Sequence, residues 1–279
     1  MNADTTAFSL DTPAGVRLAG ERAGSGVPLI LLHGLTATRR YVLMGSRYLA
    51  RAGAELVGYD ARGHGASSPA PSREAYEYAD LVRDLQRVAE TVATPVVLVG
   101  NSMGAATAAA YALQHPERVS ALVQITPGFA GAGRGAEELG DWQALADGME
   151  RDGVEGFMAA YKPPEQPRFR EAALKFTRQR LERHEHPEAV ADALRVVPGS
   201  IAFDGLESLR ALEMPSLVVG SRDESDPGHP FELAKAYAEQ LPNAQFLVED
   251  VGQSPIAWQG AQLSRAIEAF LRENGLIQR

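Results

Sequence analysis

The sequence contains no cysteine, and this absence excludes disulfides, thiolate metal sites and a cysteine nucleophile. It also lacks a long hydrophobic run, since no stretch approaches the roughly eighteen apolar residues that a membrane-spanning helix needs. Residues 1–10 show neither the basic region nor the apolar region of a secretory leader. These absences lead us to expect a cytoplasmic protein that does not enter a membrane.

Positive charge is also in short supply, with 27 Lys and Arg residues against 36 Asp and Glu residues and a net charge of −9. An acidic surface disfavours nucleic acid and anionic membranes as partners. No Gly-x-Gly-x-x-Gly motif opens the first predicted strand–helix unit, so a nucleotide cofactor is not indicated. We therefore expect no cofactor and no bound metal, and a small molecule as the substrate or ligand.

Strand-like and helix-like stretches alternate along most of the chain. The apolar run 28–32 predicts a strand covered on both faces, whereas 77–94 carries Leu81, Leu85 and Val88 at helical spacing. Such alternation implies right-handed crossovers and a mainly parallel sheet. The other predicted elements are an antiparallel hairpin over 6–22, helices over 39–52 and 260–273, and strands over 55–59, 119–125, 215–219 and 244–249.

The alternation stops near residue 129 and resumes at residue 215. The stretch between is rich in Ala, Glu, Arg and Leu, which predicts three to five helices and no strand. We expect residues 129–214 to form a helical cap on a core made of residues 1–128 and 215–279. A cap of this kind shapes a pocket and excludes water from it.

The stretch 95–104 predicts a buried strand that turns sharply into an alanine-rich helix. Gly100-Asn-Ser102-Met-Gly104 at the turn has the spacing of a nucleophile elbow, in which glycines leave room for a strained serine backbone. The Ser102 hydroxyl is then exposed at the start of the helix. There the backbone N–H of Met103 faces any negative charge that forms on a substrate oxygen.

Four motifs together resemble the α/β-hydrolase superfamily over nearly the whole chain. They are His33-Gly34-Leu35, Asp60-Ala-Arg62-Gly63-His64-Gly65-Ala-Ser67, the elbow around Ser102, and Gly220-Ser-Arg-Asp223. The resemblance implies a mostly parallel eight-stranded sheet flanked by helices, with the helical insertion as a cap. It also implies Ser102 as the nucleophile, an oxyanion hole from the N–H groups of Leu35 and Met103, and Asp223 as the acid. Glu224 and Asp226 are close enough in sequence to compete with Asp223.

The chain departs from the family pattern after its last predicted strand. Family members usually carry a Gly-His pair there, and this chain has Gly252-Gln253. An amide cannot take up a serine proton at neutral pH, so Gln253 cannot complete the usual relay. His229, just beyond the acid loop, is the alternative base, although the turn that contains it also accounts for a purely structural histidine.

The remaining candidates are interpreted mainly as structural. His33 and His64 match family residues that hold loops beside the pocket, and His184-Glu-His186 is interpreted as a solvated helix end. The basic residues of 168–183 are interpreted as a solvated helix face. The residues of the insertion most expected to contact a ligand, with packing inside the cap as the equal alternative, are Trp142, Phe157, Met158 and Tyr161.

The leading prediction is a serine hydrolase without a cofactor that acts on an ester, thioester or lactone of a small apolar molecule. Two other functions remain open at this point. One is a ligand-binding or sensor protein that kept the fold and lost the catalytic relay. The other is a lyase or cyclase that uses the pocket and the oxyanion donors without acylating Ser102.

Overall fold

The fold is built on one eight-stranded sheet, seen in a computed structural model that describes residues 5–278. Its strand order is β1-β2-β4-β3-β5-β6-β7-β8, and the first two strands run antiparallel while β3 to β8 are parallel. The strands are β1 Thr5–Asp11, β2 Arg17–Gly24, β3 Val27–Leu32, β4 Ala54–Tyr59, β5 Val96–Asn101, β6 Val119–Ile125, β7 Ser216–Val219 and β8 Ala244–Leu247. The predicted sheet and hairpin are confirmed. Residues 1–4, part of the segment searched for a leader, lie outside the described residues.

Helices cover both faces of the sheet. They are α1 Tyr48–Arg51, α2 Tyr78–Ala89, α3 Met103–Gln114, α4 Ala136–Ala160, α5 Pro167–Leu181, α6 Pro187–Val196, α7 Phe231–Gln240 and α8 Gly260–Glu273. The predicted helix over 39–52 is interrupted, leaving a 3₁₀ turn at Arg39–Tyr41 and the short α1. The cause is a left-handed backbone at Met44 and Gly45, with φ of 49° and 74°, which no right-handed helix accommodates.

The alternating side chains of the central strands fill two separate cores. On β3, Ile30 packs on the side of α2 with Leu85, while Leu29 packs on the opposite side with Leu263 of α8. Burial on both faces explains why the strand sequences are continuously apolar rather than alternating. The parallel strands all end at the same edge of the sheet, so the loops that follow β3, β5, β6 and β7 meet there.

Between β6 and β7 the chain forms α4, α5 and α6, and the described residues of 129–214 include no strand. These helices have a small core of their own, which includes Met149, Phe157 and Leu194. Among residues 5–278, no helix combines the length and apolar character that crossing a membrane requires.

A buried ion pair fixes the loop that follows β4. Arg62 donates from Nε and Nη2 to the two carboxylate oxygens of Asp84 at 2.8 and 2.7 Å, and both side chains are 1% exposed. Asp80 adds a second carboxylate, with an oxygen 3.1 Å from Nη1. Removing one partner of a buried ion pair destabilises a protein strongly, because the other charge then stays buried without a counter-charge.

We expect Asp84→Asn to lower the free energy of unfolding by about 3 kcal/mol, because the buried guanidinium loses its bidentate partner. The matched control is Asp11→Asn, which breaks the ion pair of Asp11 with Arg17, in which the side chains are 78% and 69% exposed. Exposed pairs contribute under about 1 kcal/mol, so this control should shift urea denaturation only slightly. Equal destabilisation by the two substitutions would contradict the prediction.

Candidate active site

Ser102 occupies the sharp turn between β5 and α3 with an unusual backbone, φ 50° and ψ −110°. Neighbouring glycines make the turn possible. A Cβ atom added at Gly100 would lie 2.3 Å from the carbonyl oxygen of Gly104, and one added at Gly104 would lie 2.2 Å from the carbonyl oxygen of Leu32. Such strain in a residue other than glycine persists where the surrounding structure holds it, often at functional sites. The backbone therefore has the geometry that the elbow motif predicts.

His229 reaches the Ser102 hydroxyl from the loop after β7. Its Nε2 lies 2.9 Å from Ser102 Oγ, and its Nδ1 lies 3.0 Å from both carboxylate oxygens of Asp226. A carboxylate only accepts hydrogen bonds, so Nδ1 carries the proton and Nε2 is left to accept from the serine. The three side chains therefore form a continuous Ser–His–Asp chain of hydrogen bonds.

A single turn holds both the histidine and its acid. The backbone N–H of His229 donates to the carbonyl of Asp226 at 3.1 Å, which closes a turn with Pro227 at its second position. Pro230 then precedes α7, where a fixed φ suits a helix start. This local geometry places Asp226 and His229 side by side before any distant contact is made.

The three acids of the loop after β7 have different partners. Asp223 Oδ1 accepts a hydrogen bond from the Phe231 N–H at 2.7 Å at the start of α7, and Glu224 Oε1 accepts from the Gly252 N–H at 3.0 Å. Only Asp226, among the described carboxylates, contacts His229. Asp226, and not Asp223, is therefore the carboxylate that lies beside His229.

Gln253, at the position where the family usually has histidine, is exposed and does not line the cavity around Ser102. Its loop instead supports the loop after β7. Besides the Gly252 contact, Glu249 Oε1 accepts from the Arg222 N–H at 2.7 Å, and the Glu249 carbonyl accepts from Arg222 Nε at 3.0 Å. The loop after β8 therefore braces the turn that carries His229.

His33 is buried and engaged on both ring nitrogens. Nδ1–H donates to the Gly34 carbonyl at 2.8 Å, and Nε2 accepts from the Ala61 N–H at 2.9 Å. Burial lowers the pKa of His33, so the ring stays neutral. It ties the loop after β3 to the loop after β4 and does not line the Ser102 cavity.

Two further histidines, His64 and His184, lie beside His33 and connect these loops to the helical segment. The His64 ring lies 5.1 Å from His33 and 5.5 Å from His184, between ring centres. His184 accepts from the Gly65 N–H at 2.8 Å and donates to the Thr36 carbonyl at 3.0 Å. Burial lowers the pKa of His184 to about 4. The interpretation of His184 as a solvated helix end is wrong, because the ring joins the end of α5 to the loops of the sheet.

The Ser102 hydroxyl opens into a cavity of about 220 Å³ between the sheet edge and the helical segment. A neighbouring cleft of about 1080 Å³ shares Gly128 and Tyr161 with it. Gly128 keeps the space over Ser102 open, since a Cβ atom there would lie 2.9 Å from Ser102 Oγ. The aromatic residues that line the cavity are Tyr41, Trp142, Tyr161, Phe176 and Trp258.

Of the ligand contacts expected from the insertion, Trp142 and Tyr161 line the cavity. Phe157 is buried in the small core of the helical segment, and Met158 packs against that core. Packing is therefore the explanation for these two residues. Trp142 and Tyr161 also pack against that core, so they line the cavity and support the helical segment at once.

The two predicted oxyanion donors come from different loops, Met103 directly after Ser102 and Leu35 after β3. Met103 is the first residue of α3, where backbone N–H groups have no partner within the helix. Gly34, which precedes Leu35, lines the cavity, and a Cβ atom on it would lie 3.2 Å from Ser102 Cβ. The oxyanion hole of Leu35 and Met103 stays a prediction.

The sequence interpretation missed Arg180, a cation in the cavity wall. It was grouped with the solvated basic residues of α5. The sequence could nevertheless have predicted which face of α5 carries Arg180, because residues 169, 173, 176 and 180 follow helical spacing and share one face. Phe169, Ala173 and Phe176 are the apolar members of that face, so Arg180 is the charged exception on it.

Comparisons with known proteins agree with this architecture. A family model described as the alpha/beta hydrolase fold matches residues 27–259. A Bacillus subtilis (strain 168) protein that carries the provisional name 2-succinyl-6-hydroxy-2,4-cyclohexadiene-1-carboxylate synthase is 32% identical over 153 residues, 53% of this chain and 55% of that protein. Epoxide hydrolase B of Mycobacterium tuberculosis is 35% identical over 109 residues, 39% of this chain and 31% of that protein. The chain thus spans about half or less of these curated relatives.

Among solved structures, a thermophilic esterase from Thermogutta terrifontis is similar over most of both chains. The TM-score is 0.77 with 25% sequence identity, and the match covers 96% of this chain and 99% of the esterase. The likeness therefore includes the helical segment as well as the sheet.

Proposed function

This chain belongs to the alpha/beta hydrolase fold family, and from that premise we propose that it is a serine hydrolase that cleaves an ester-type bond. The observation that carries the proposal is the 2.9 Å contact between His229 Nε2 and Ser102 Oγ, with Asp226 on the other ring nitrogen. A base within hydrogen-bond reach of a serine, itself oriented by an acid, is the arrangement that activates a hydroxyl nucleophile.

In the proposed reaction, Ser102 Oγ attacks the carbonyl carbon of an ester, thioester or lactone while His229 Nε2 takes the hydroxyl proton. The N–H groups of Leu35 and Met103 stabilise the negative oxygen of the tetrahedral intermediate. His229 then returns the proton to the leaving alcohol or thiol. Water, deprotonated by the same nitrogen, releases the acid from Ser102 and restores the serine.

Asp226 keeps the His229 proton on Nδ1 and stabilises the imidazolium that forms during each step. Residues 129–214 act as a cap in this proposal, because Trp142 and Tyr161 enclose the cavity from that side. Small apolar substrate groups pack against these aromatic walls. A cavity smaller than the ~300–1,000 Å³ of typical ligand pockets favours a compact acyl group.

A binding protein of the same fold was an alternative because histidine is missing after β8. The contact between His229 and Ser102 supports the hydrolase over that alternative, since it places a candidate base on another loop. A lyase or cyclase differs from the hydrolase because it never forms an acyl bond to Ser102 Oγ. Whether Ser102 Oγ forms a covalent bond therefore separates the two functions.

The test is covalent labelling with a fluorophosphonate, whose phosphorus bonds to an activated serine oxygen as fluoride leaves. We expect the native protein to gain one adduct at Ser102, found by intact mass and peptide mapping. Ser102→Ala should gain none. Ser254→Ala, which removes an exposed serine outside the cavity, should label at the native rate. A native protein that remains unlabelled, or labels elsewhere, would falsify the assignment of Ser102.

A further inference from the structure

Arg180 lacks the partners that a partly buried cation normally has. Within residues 5–278, no carboxylate oxygen lies within 4.0 Å of its guanidinium, and its Nε is buried without a hydrogen-bond acceptor. Burial lowers the pKa of this side chain, which reflects the cost of a charge removed from water. The cost is unmatched by any ion pair inside the described part of the protein.

The other two cations that line the cavity are already neutralised. Lys162 Nζ lies 2.7 and 2.8 Å from the carboxylate oxygens of Asp141. Arg134 forms an ion pair with Glu138 and donates to the Gly128 carbonyl at 2.5 Å. Arg180 is therefore the lining cation whose charge is available to a ligand.

The charged groups around Arg180 also indicate what kind of ligand it can bind. Asp226 is the carboxylate that acts on Arg180 electrostatically, although it does not form an ion pair with it. Both oxygens of Asp226 already face Nδ1 of His229 at 3.0 Å, so that carboxylate is committed to the histidine. An additional anion in the cavity would give the guanidinium its missing acceptor.

The position of Arg180 on α5 separates it from the ordinary basic residues of that helix. Arg178 is partly exposed and forms an ion pair with Glu155, and Arg170 is exposed and lines neither the Ser102 cavity nor the neighbouring cleft. Arg180 instead lies on the stripe of Phe169 and Phe176. A charge on the apolar stripe of a helix is costly, which favours a functional reason for it over a solubility role.

We propose that Arg180 binds a free carboxylate of the substrate, so that the molecule cleaved at Ser102 is an ester, thioester or lactone that carries a second, ionised acid group. This substrate class rests on the proposed hydrolase function. The planar guanidinium suits a carboxylate because its N–H groups match the two oxygens in a paired arrangement. The carbon chain between the two ends lies against Trp142, Phe176 and Trp258, which line the same cavity.

The binding test uses an uncleaved pair of amides in the Ser102→Ala background, so that it does not depend on catalysis. The ligands are 4-anilino-4-oxobutanoate, which has a free carboxylate, and neutral N-phenylbutanamide, and their dissociation constants are measured by titration calorimetry. We expect the carboxylate ligand to bind roughly tenfold or more tightly than the neutral one. Arg180→Gln should abolish this preference, and Arg180→Lys should retain part of it.

Arg170→Gln is the matched control, because it removes the same charge from an exposed position of the same helix. It should keep the native preference. Equal affinities for the two amides, no detectable binding of either, or a preference that survives Arg180→Gln would overturn the proposal. Each variant is first checked for an unchanged melting temperature, and Arg180→Lys serves if Arg180→Gln does not fold.

The turnover test separates this proposal from the hydrolase assignment. It compares mono-4-nitrophenyl succinate with 4-nitrophenyl butanoate, esters that differ in their terminal acid. If Arg180 binds the carboxylate, Arg180→Gln lowers kcat/KM for the succinate ester more than for the butanoate ester. A merely structural role lowers both values by the same factor. Carboxylate-selective binding in a protein that hydrolyses neither ester would support Arg180 as a carboxylate site and count against the hydrolase assignment.

Discussion

Replacing His229 with glutamine is expected to lower kcat for a simple ester by roughly 10⁴-fold or more, because the serine loses the imidazole placed to accept its proton. Among residues 5–278, His229 is the histidine within hydrogen-bond distance of Ser102 Oγ. Glutamine has similar length and polarity, so the fold should persist. The measurement is steady-state hydrolysis of 4-nitrophenyl butanoate, with circular dichroism and thermal melting to verify folding.

Gln253 provides the control for this result. A Gln253→His substitution creates a histidine at the position that the family pattern favours, but the side chain is exposed and outside the cavity. We therefore expect the double variant His229→Gln/Gln253→His to stay as slow as His229→Gln alone. Recovery of activity in the double variant would show that the base belongs after β8 and would refute the role of His229.

Replacing Asp226 with asparagine is expected to reduce kcat by roughly 10⁴-fold, because an amide no longer stabilises the imidazolium or enforces the proton on Nδ1. The same replacement at Asp223 should change kcat little. The amide oxygen introduced by Asp223→Asn would still accept from the Phe231 N–H at the start of α7, so the helix keeps its cap. The two variants remove one negative charge each from the same loop.

Comparison of these two variants identifies the acid directly. Both are assayed with the same ester, and labelling by the fluorophosphonate gives a second measure of serine reactivity. A large loss with Asp223→Asn and a small loss with Asp226→Asn would reverse the assignment and restore the acid implied by the family motif. Equal losses would indicate that the whole loop, rather than one carboxylate, supports His229.

The sheet and the elbow were predictable because local patterns determine them. Continuous apolar runs such as 28–32 indicate strands buried on both faces, and glycines around Ser102 indicate a tight turn. The helix over 39–52 was wrong for an equally local reason. Its composition suits a helix, but the left-handed backbone at Met44 and Gly45 ends the regular structure within it.

The partners within the site were less predictable than its location. Asp223, Glu224 and Asp226 are chemically alike and close in sequence. They differ in their partners, which are the Phe231 N–H, the Gly252 N–H and the His229 ring, and the sequence pattern does not reveal these contacts. The burial of His184 and Arg180 depends on where α5 lies against the sheet. That placement comes from contacts between distant segments, which periodicity along one helix does not reveal.

In the proposed mechanism, the pairing of Asp226 and His229 on one turn makes the acid and the base a single local unit. Their separation is set within four consecutive residues, so a shift of the loop carries both side chains together. Only one distance, from His229 Nε2 to Ser102 Oγ, then depends on how distant parts of the chain are packed. In this proposal the segment after β8 supplies no reactive group, and the constraint on its sequence is to keep the contacts that hold the loop, namely the Glu249 side chain and the backbone of Glu249 and Gly252.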